Sequence, residues 1–246
     1  MKCGYQFCIF INRYSHYFEC PNLSIALISP LLAACASNGE TKIASYDYPS
    51  IDFEITGIPP IYFGYGSSVS ISEHLSLTAA HVAKLNYTRV IAYHPTCDIA
   101  LVESDNRGKK MSKLGLVYPD QSLKTLGVDA VGRTIYGDGK YFTDLYFTNY
   151  EYFTKCPASI TDAPIQSGMS GGGAYNSDGE LVGIIAAVID PHTVKIDGRP
   201  FKIADRLSAF VSINFIANWL YDSIEEYESS VGLKTWTRTL DIASGN

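Results

Sequence analysis

The stretch "IQSGMSGGGAYNSDGELVGI", residues 165–184, decides how this chain is read. Ser170 stands in a run of glycines, and an apolar strand pattern follows it. Such a run is either a flexible loop or a backbone shaped to hold a nucleophile. A serine hydroxyl is a weak nucleophile until a base takes its proton, so the rest of the chain must supply that base.

The chain has 246 residues, 46% of them apolar, and a formal net charge of −6. That length suits one large or two small domains. The apolar content supports a sizeable core and excludes a disordered chain. The acidic balance excludes nucleic-acid binding, which needs a basic footprint. The 18 tyrosines and 11 phenylalanines favour strands over helices. Four cysteines, Cys3, Cys8, Cys20 and Cys35, lie near the N-terminus, and only Cys97 and Cys156 lie beyond it. No CxxC or Cys/His spacing of a zinc site occurs, and neither a metal nor a cofactor is expected.

From about residue 51 to 215 the sequence is a series of short apolar stretches broken by Gly, Pro, Asn and Asp. "IYFGYGSSVSI", "HLSLTAA", "TRVIAYH", "DIALVES", "KTLGVDAVG", "YFTDLYFTNYEYFT" and "ELVGIIAAVID" each fit a strand with turn signals between them. Their spacing predicts an all-β body of antiparallel barrels or a sandwich. One segment differs. "INFIANWLYDSIEEY" (213–227) puts Ile213, Ile216, Ala217, Leu220 and Ile224 on one helical face, with Ser212 or Asn214 as its cap. Residues 213–246 therefore read as a C-terminal helix and tail, with Trp236 expected to pack back on the body.

The N-terminus reads differently. "LSIALISPLLAACAS" (23–37) holds an apolar run of about a dozen residues, short of the roughly 20 that cross a bilayer. It fits the apolar region of a signal peptide. Leu32-Ala33-Ala34-Cys35 resembles the lipobox of bacterial lipoproteins, in which the cysteine is lipidated and becomes the first residue. Ala36 after it resembles sorting to the outer membrane. The expectation is a removed leader over 1–34, lipidation at Cys35, a small polar tether over 35–50, and a periplasm-facing outer-membrane lipoprotein touching the membrane only through its anchor. The alternative is an ordinary secretory signal with a chance cysteine and a secreted product. A start downstream of Met1 would fit the long, weakly basic lead-in.

Ser170 needs a histidine and an acid. Beyond the leader stand His74, His81, His94 and His192. His81, in "LTAAHV", follows small residues and an apolar strand, which suits an imidazole held at a strand end. Asp98, in "CDIALVE", immediately precedes an apolar run. A carboxylate entering a buried strand needs a partner, because burying it unpaired is costly. In order and in local sequence, "LTAAHV", "DIALVE" and "SGMSGGGAYN…GELVGI" resemble the three signature segments of chymotrypsin-like serine proteases. The order His, Asp, Ser is that family's. The resemblance covers about residues 55–225.

The resemblance implies two six-stranded antiparallel barrels, about 51–125 and 126–212, with the site in the cleft between them. It implies a serine endopeptidase acting on polypeptides through an acyl-enzyme. His81 would be the general base, Asp98 its orienting acid and Ser170 the nucleophile. The backbone N–H groups of Gly168 and Ser170 would form the oxyanion hole. Glycine suits position 168, where the N–H must point inward in a conformation that a side chain hinders. A protease working through a histidine base loses activity below roughly pH 6–7, as the imidazole protonates.

The sequence departs from the family in places. His81 and Asp98 are only 17 residues apart, which fits a hairpin turning at Pro95-Thr96. Met169 stands where digestive relatives carry an acid for a new N-terminal ammonium, so no switch of that kind is expected. This resembles bacterial HtrA-type and glutamyl-endopeptidase-like members. Matched residue by residue, the specificity pocket falls on Pro164, Ile165, Ala186, Ala187, Val188 and Ser208. Asp162 is two places off. The implied pocket is small and uncharged, favouring small or medium apolar side chains before the scissile bond. His192 near its rim would favour an acidic one, but a surface loop after Asp190-Pro191 is the preferred reading. Cys97 and Cys156 are expected as two buried free thiols, although a periplasmic setting permits a disulfide. Two other functions stand beside the protease: an inactive, lipid-anchored protein using the fold to bind, and an α/β-hydrolase esterase reading of Gly168-Met169-Ser170-Gly171-Gly172. Three successive glycines start a helix poorly, which counts against the latter.

Overall fold

Most strands are runs of residues buried on both faces, such as 75–78, 158–161 and 181–186, and turn residues set their ends. In the computed structural model, residues 37–45, 48–58, 62–196, 199–200 and 202–232 are described. The expected leader, Cys35 and Trp236 lie outside them. In chain order the elements are β1 (Lys42–Ile43), β2 (Ile51–Ile58), β3 (Tyr62–Ser70), β4 (Leu75–Thr78), the one-turn α1 (Ala80–Ala83), β5 (Val90–Tyr93) and β6 (Ala100–Glu103). Then come β7 (Ser122–Val128), β8 (Thr134–Leu145), a 3₁₀ turn at Glu151–Phe153, β9 (Ala158–Thr161), β10 (Gly173–Tyr175) and β11 (Leu181–Ile189). A two-stranded ribbon of β12 (Lys195–Ile196) and β13 (Arg199–Pro200), then β14 (Leu207–Ser212) and α2 (Ile213–Val231), complete the described chain.

The second sheet runs β1-β8-β7-β10-β11-β14-β9, and a β8–β9 pairing closes all but β1 into a barrel. Every pairing in it is antiparallel. The first sheet runs β2-β3-β4-β6-β5 and has five strands, not the six expected. The reason is the short link between His81 and Asp98. It holds one strand, β5. The residues before β5 give only an isolated bridge, Thr56↔Asn86, and a Gly57 N–H bond to the Leu85 carbonyl. Side chains finish the closure: Asn86 and Ser68 both donate to the buried Glu54 carboxylate.

One apolar cluster joins the two sheets and the helix. Val69, Leu77 and Leu101 of the first sheet, with Ile99 just before β6, meet Leu126, Ile160 and Ile184 of the second, and Ile216, Leu220 and Ile224 of α2. Each such side chain, fully buried, contributes about 1.5–3 kcal/mol. The α2 face is the one its periodicity predicts, and the Ser212 hydroxyl caps it by accepting from the Asn214 N–H. The helix runs on to Val231, where Gly232 adopts a left-handed φ of 71° and ends it. No helix among the described residues is long and apolar enough to cross a membrane.

The stretch expected as a tether is not free over 37–45. β1 pairs with β8, and Ser37 bridges Gln166. Cys97 and Cys156 are bonded, not free thiols. The fold brings their Cα atoms to 5.0 Å across a separation of 59 residues, within disulfide reach.

Candidate active site

β4 ends in Thr78, and the chain turns at once into α1, which carries His81. The turn is fixed by bonds from the Val82 and Ala83 N–H groups to the Ala79 carbonyl, each 3.0 Å. Asp98 sits at the far end of the β5–β6 hairpin. That hairpin is held by His94, whose Nδ1 accepts from the Cys97 N–H at 2.9 Å and the Thr96 N–H at 3.2 Å. An accepting imidazole is neutral, and burial lowers the His94 pKa accordingly.

Asp98 meets His81 twice. Its Oδ1 accepts from the His81 backbone N–H at 2.9 Å, and its Oδ2 lies 2.6 Å from His81 Nδ1. The Asp98 side chain is 2% exposed and that of His81 27%. A carboxylate on Nδ1 holds the proton there and leaves Nε2 as the accepting nitrogen, the form a general base needs.

Ser170 comes from the other sheet, in the turn before β10. That turn packs directly on the segment carrying His81. A Cβ added at Gly171 would lie 2.3 Å from Thr78 Oγ1 and 3.1 Å from the Ala79 nitrogen, and the residue has φ of 85°. Only glycine fits there. The Ser170 hydroxyl donates to the Ala186 carbonyl oxygen at 3.4 Å, a long contact.

Gly168 has φ of 93°, and an added Cβ would fall 2.0 Å from Tyr65 Cε2. Each carbonyl of the turn is held. The Tyr65 hydroxyl donates to Ser167 O at 3.3 Å, Ser67 Oγ to Gly168 O at 2.7 Å, the Gly172 N–H to Met169 O at 2.9 Å and the Ser67 N–H to Ser170 O at 2.8 Å. Burial, then the Asp129 carboxylate, push the Tyr65 phenol up, so it remains a donor. Fixing Ser167 O and Met169 O orients the two peptide units whose N–H groups belong to Gly168 and Ser170. Those two N–H groups are the expected oxyanion donors.

Sequence reasoning missed Ser67, although it is completely buried and binds both sides of the cleft. It also missed Tyr152, whose ring stacks on the His81 imidazole at 5.2 Å and 27°. Tyr152 rides on the β8–β9 loop, which the Cys97–Cys156 bond ties to the residue before Asp98. Nothing in the local sequence of either position marks it.

The expected pocket residues gather beside the Ser170 turn. Val188 pairs with Ser208 and Ala187 with Ala209 between β11 and β14. Ile165 clusters with Met169, Ile135 and Ile185, with Val188 packed against them. Pro164 and Ala186 are buried, while Ala187 and Val188 are partly open. Asp162 turns away, accepting from the Lys140 N–H at 2.8 Å. His192 is exposed in a turn capped by Asp190. Among the described residues no group of three or more His, Cys, Asp or Glu gathers as a metal site would.

Comparison with known proteins bears on the fold. No protein-family model matches the chain, and no curated protein matches it in sequence. Solved structures do. A variant of the HtrA-type protease AlgW with a tripeptide superposes with a TM-score of 0.56 at 19% identity, over 75% of this chain and 69% of that one. The active form of the Rv3671c protease from M. tuberculosis gives 0.56 at 15% identity, over 70% and 79%. A serine endoprotease from Yersinia pestis gives 0.55 at 15%, over 73% and 64%. The chain has the chymotrypsin-like fold that these serine proteases share.

Proposed function

We propose that this chain is a serine endopeptidase. Ser170 attacks a peptide carbonyl while His81 takes its proton, and Asp98 holds the imidazole and stabilises its charge. The Gly168 and Ser170 N–H groups receive the oxyanion. The imidazolium then protonates the leaving amine, and water, activated by the same base, releases the acyl group. The observation that carries the reading is the double contact of Asp98 on His81, with the Ser170 turn packed against the same segment. The apolar cluster of Ile165 and Val188 supports a preference for small or medium apolar residues before the scissile bond. AlgW with a peptide bound is consistent with a polypeptide substrate.

Peptide-library cleavage profiling of the full chain beside Ser170→Ala tests this. Cleavage by the parent alone supports the reading. Equal or absent cleavage in both favours a binding protein on the same fold, and ester hydrolysis without peptide cleavage favours an esterase.

From the lipobox-like Leu32-Ala33-Ala34-Cys35 we propose, separately, that the chain is exported and anchored through Cys35. Labelling with a palmitate analogue in cells, lost in Cys35→Ser, is the expected result. Label retained in that variant contradicts the anchor.

A further inference from the structure

Of the three stretches read as walls of the specificity pocket, two are 163–166 and 207–208, and the third is 186–188 on β11. A further stretch, far away in sequence, holds the first two together. Asn38 bonds to both. Its side-chain oxygen accepts from the Ile165 N–H at 2.9 Å, and its backbone N–H donates to the Ile165 carbonyl at 3.2 Å. Its side-chain amide donates to Leu207 O and to Ser208 Oγ, each at 2.9 Å. Ser208 Oγ in turn donates to the Ala163 carbonyl at 2.7 Å, closing the ring.

The neighbours of Asn38 clamp it. Ser37 bridges Gln166, and Thr41 Oγ1 donates to the Gln166 side chain at 3.0 Å. Gly39 lies so close to Pro164 that an added Cβ would sit 2.9 Å from Pro164 Cβ. β1 then continues along β8. The bonds of Asn38 and Thr41 span about 125–170 residues of chain, so this segment is a strut between distant parts of the fold.

We propose that Asn38 is the positioning residue of the specificity pocket. Its amide sets the distance between the Pro164–Ile165 wall and the Leu207–Ser208 wall, and so fixes the width of the slot that takes the side chain before the scissile bond. The proposal rests on the endopeptidase reading. Bonds on four separate polar groups over-determine the spacing, as a pocket that separates side chains differing by one or two methylenes requires. Asn38 touches neither the reacting atoms nor His81. Its loss therefore acts on selectivity and KM more than on acylation itself.

The test uses the full chain as wild type, Asn38→Ala, Ser208→Ala and the double variant. Peptides with alanine, valine, leucine or phenylalanine before the scissile bond are assayed, and the rate of Ser170 labelling by a small fluorophosphonate is measured in parallel. The expected result for Asn38→Ala is a labelling rate within about twofold of wild type. KM should rise about tenfold for the preferred small residue, and the ratio of kcat/KM between small and aromatic residues should fall by about tenfold or more. Ser208→Ala, which removes the link from the Asn38 amide to that wall and the bond onward to the Ala163 carbonyl, should shift the ratio in the same direction. The double variant should be little worse than Asn38→Ala. An unchanged ratio with normal labelling contradicts the proposal alone, as does a uniform fall across all peptides that follows the labelling rate. If Asn38→Ala does not fold, an unchanged ratio in Ser208→Ala contradicts it. A wild type that resists labelling contradicts the endopeptidase reading itself.

Discussion

The Ser67 backbone N–H donates to the Ser170 carbonyl at 2.8 Å, and the Ser67 hydroxyl donates to the Gly168 carbonyl at 2.7 Å. One residue of β3 thus fixes the carbonyls of both Gly168 and Ser170. Its hydroxyl also accepts from the Val128 N–H at 3.0 Å, and its own carbonyl accepts from Thr78 Oγ1 at 2.7 Å. Thr78 leads into His81. The two halves of the candidate site are therefore linked through Ser67.

Ser67→Ala is expected to lower kcat by about 10–100-fold with KM little changed, because small misplacements of the turn are costly to reaction geometry. It leaves the Val128 N–H without its acceptor, and stability should fall by about 1–3 kcal/mol. Steady-state kinetics and denaturant unfolding check both. Unchanged kcat contradicts the role.

Asp98→Asn keeps the shape of the side chain but can no longer hold the Nδ1 proton as an anion does. Turnover should fall by about 10⁴-fold, the loss seen for this change in a well-characterised Ser-His-Asp enzyme. The circular dichroism spectrum should be unchanged. A loss of less than tenfold in a folded variant contradicts the orienting role.

His94 makes stability depend on pH. Its folded pKa is lowered by burial from the ordinary value of 6.5, so the unfolded chain binds the proton more readily. The contribution of the neutral ring is full above about pH 6.5 and declines as pH falls toward the lowered folded value. His94→Asn offers an oxygen near the place of Nδ1 without titrating. Its denaturant midpoint should change less between pH 7.5 and pH 5 than that of wild type, and equal changes contradict the assignment.

The Cys97–Cys156 bond closes a loop with a sequence separation of 59. A chain-entropy estimate for such a loop is about 4 kcal/mol, and measured losses on removing native disulfides are typically about 2–5 kcal/mol. Cys97→Ser with Cys156→Ser should lower stability by that order. It should also speed amide exchange in the loop carrying Tyr152, measured by mass spectrometry. Unaltered exchange there contradicts the view that the bond holds Tyr152 against His81.

The elements legible in the sequence are those with a local signature. The α2 face showed in its period, and His81, Asp98 and Ser170 showed in segments whose neighbours shape the backbone around them. What escaped depends on contacts between distant segments. Asn38 lies in a polar stretch indistinguishable from a tether until its partners, 127 to 170 residues away, are known. Ser67 reads as one more small residue of a strand. The disulfide needed the distance between the β5–β6 hairpin and the β8–β9 loop. The sixth strand is missing because the 17-residue separation of His81 and Asp98 leaves room for one hairpin strand, β5, and no more.

The most direct test of the endopeptidase reading is the site of covalent modification. Wild-type protein treated with a fluorophosphonate and mapped by peptide mass spectrometry should carry one adduct, on Ser170, absent from His81→Ala and Ser170→Ala. An adduct on another residue, or none on folded wild type, would contradict the account.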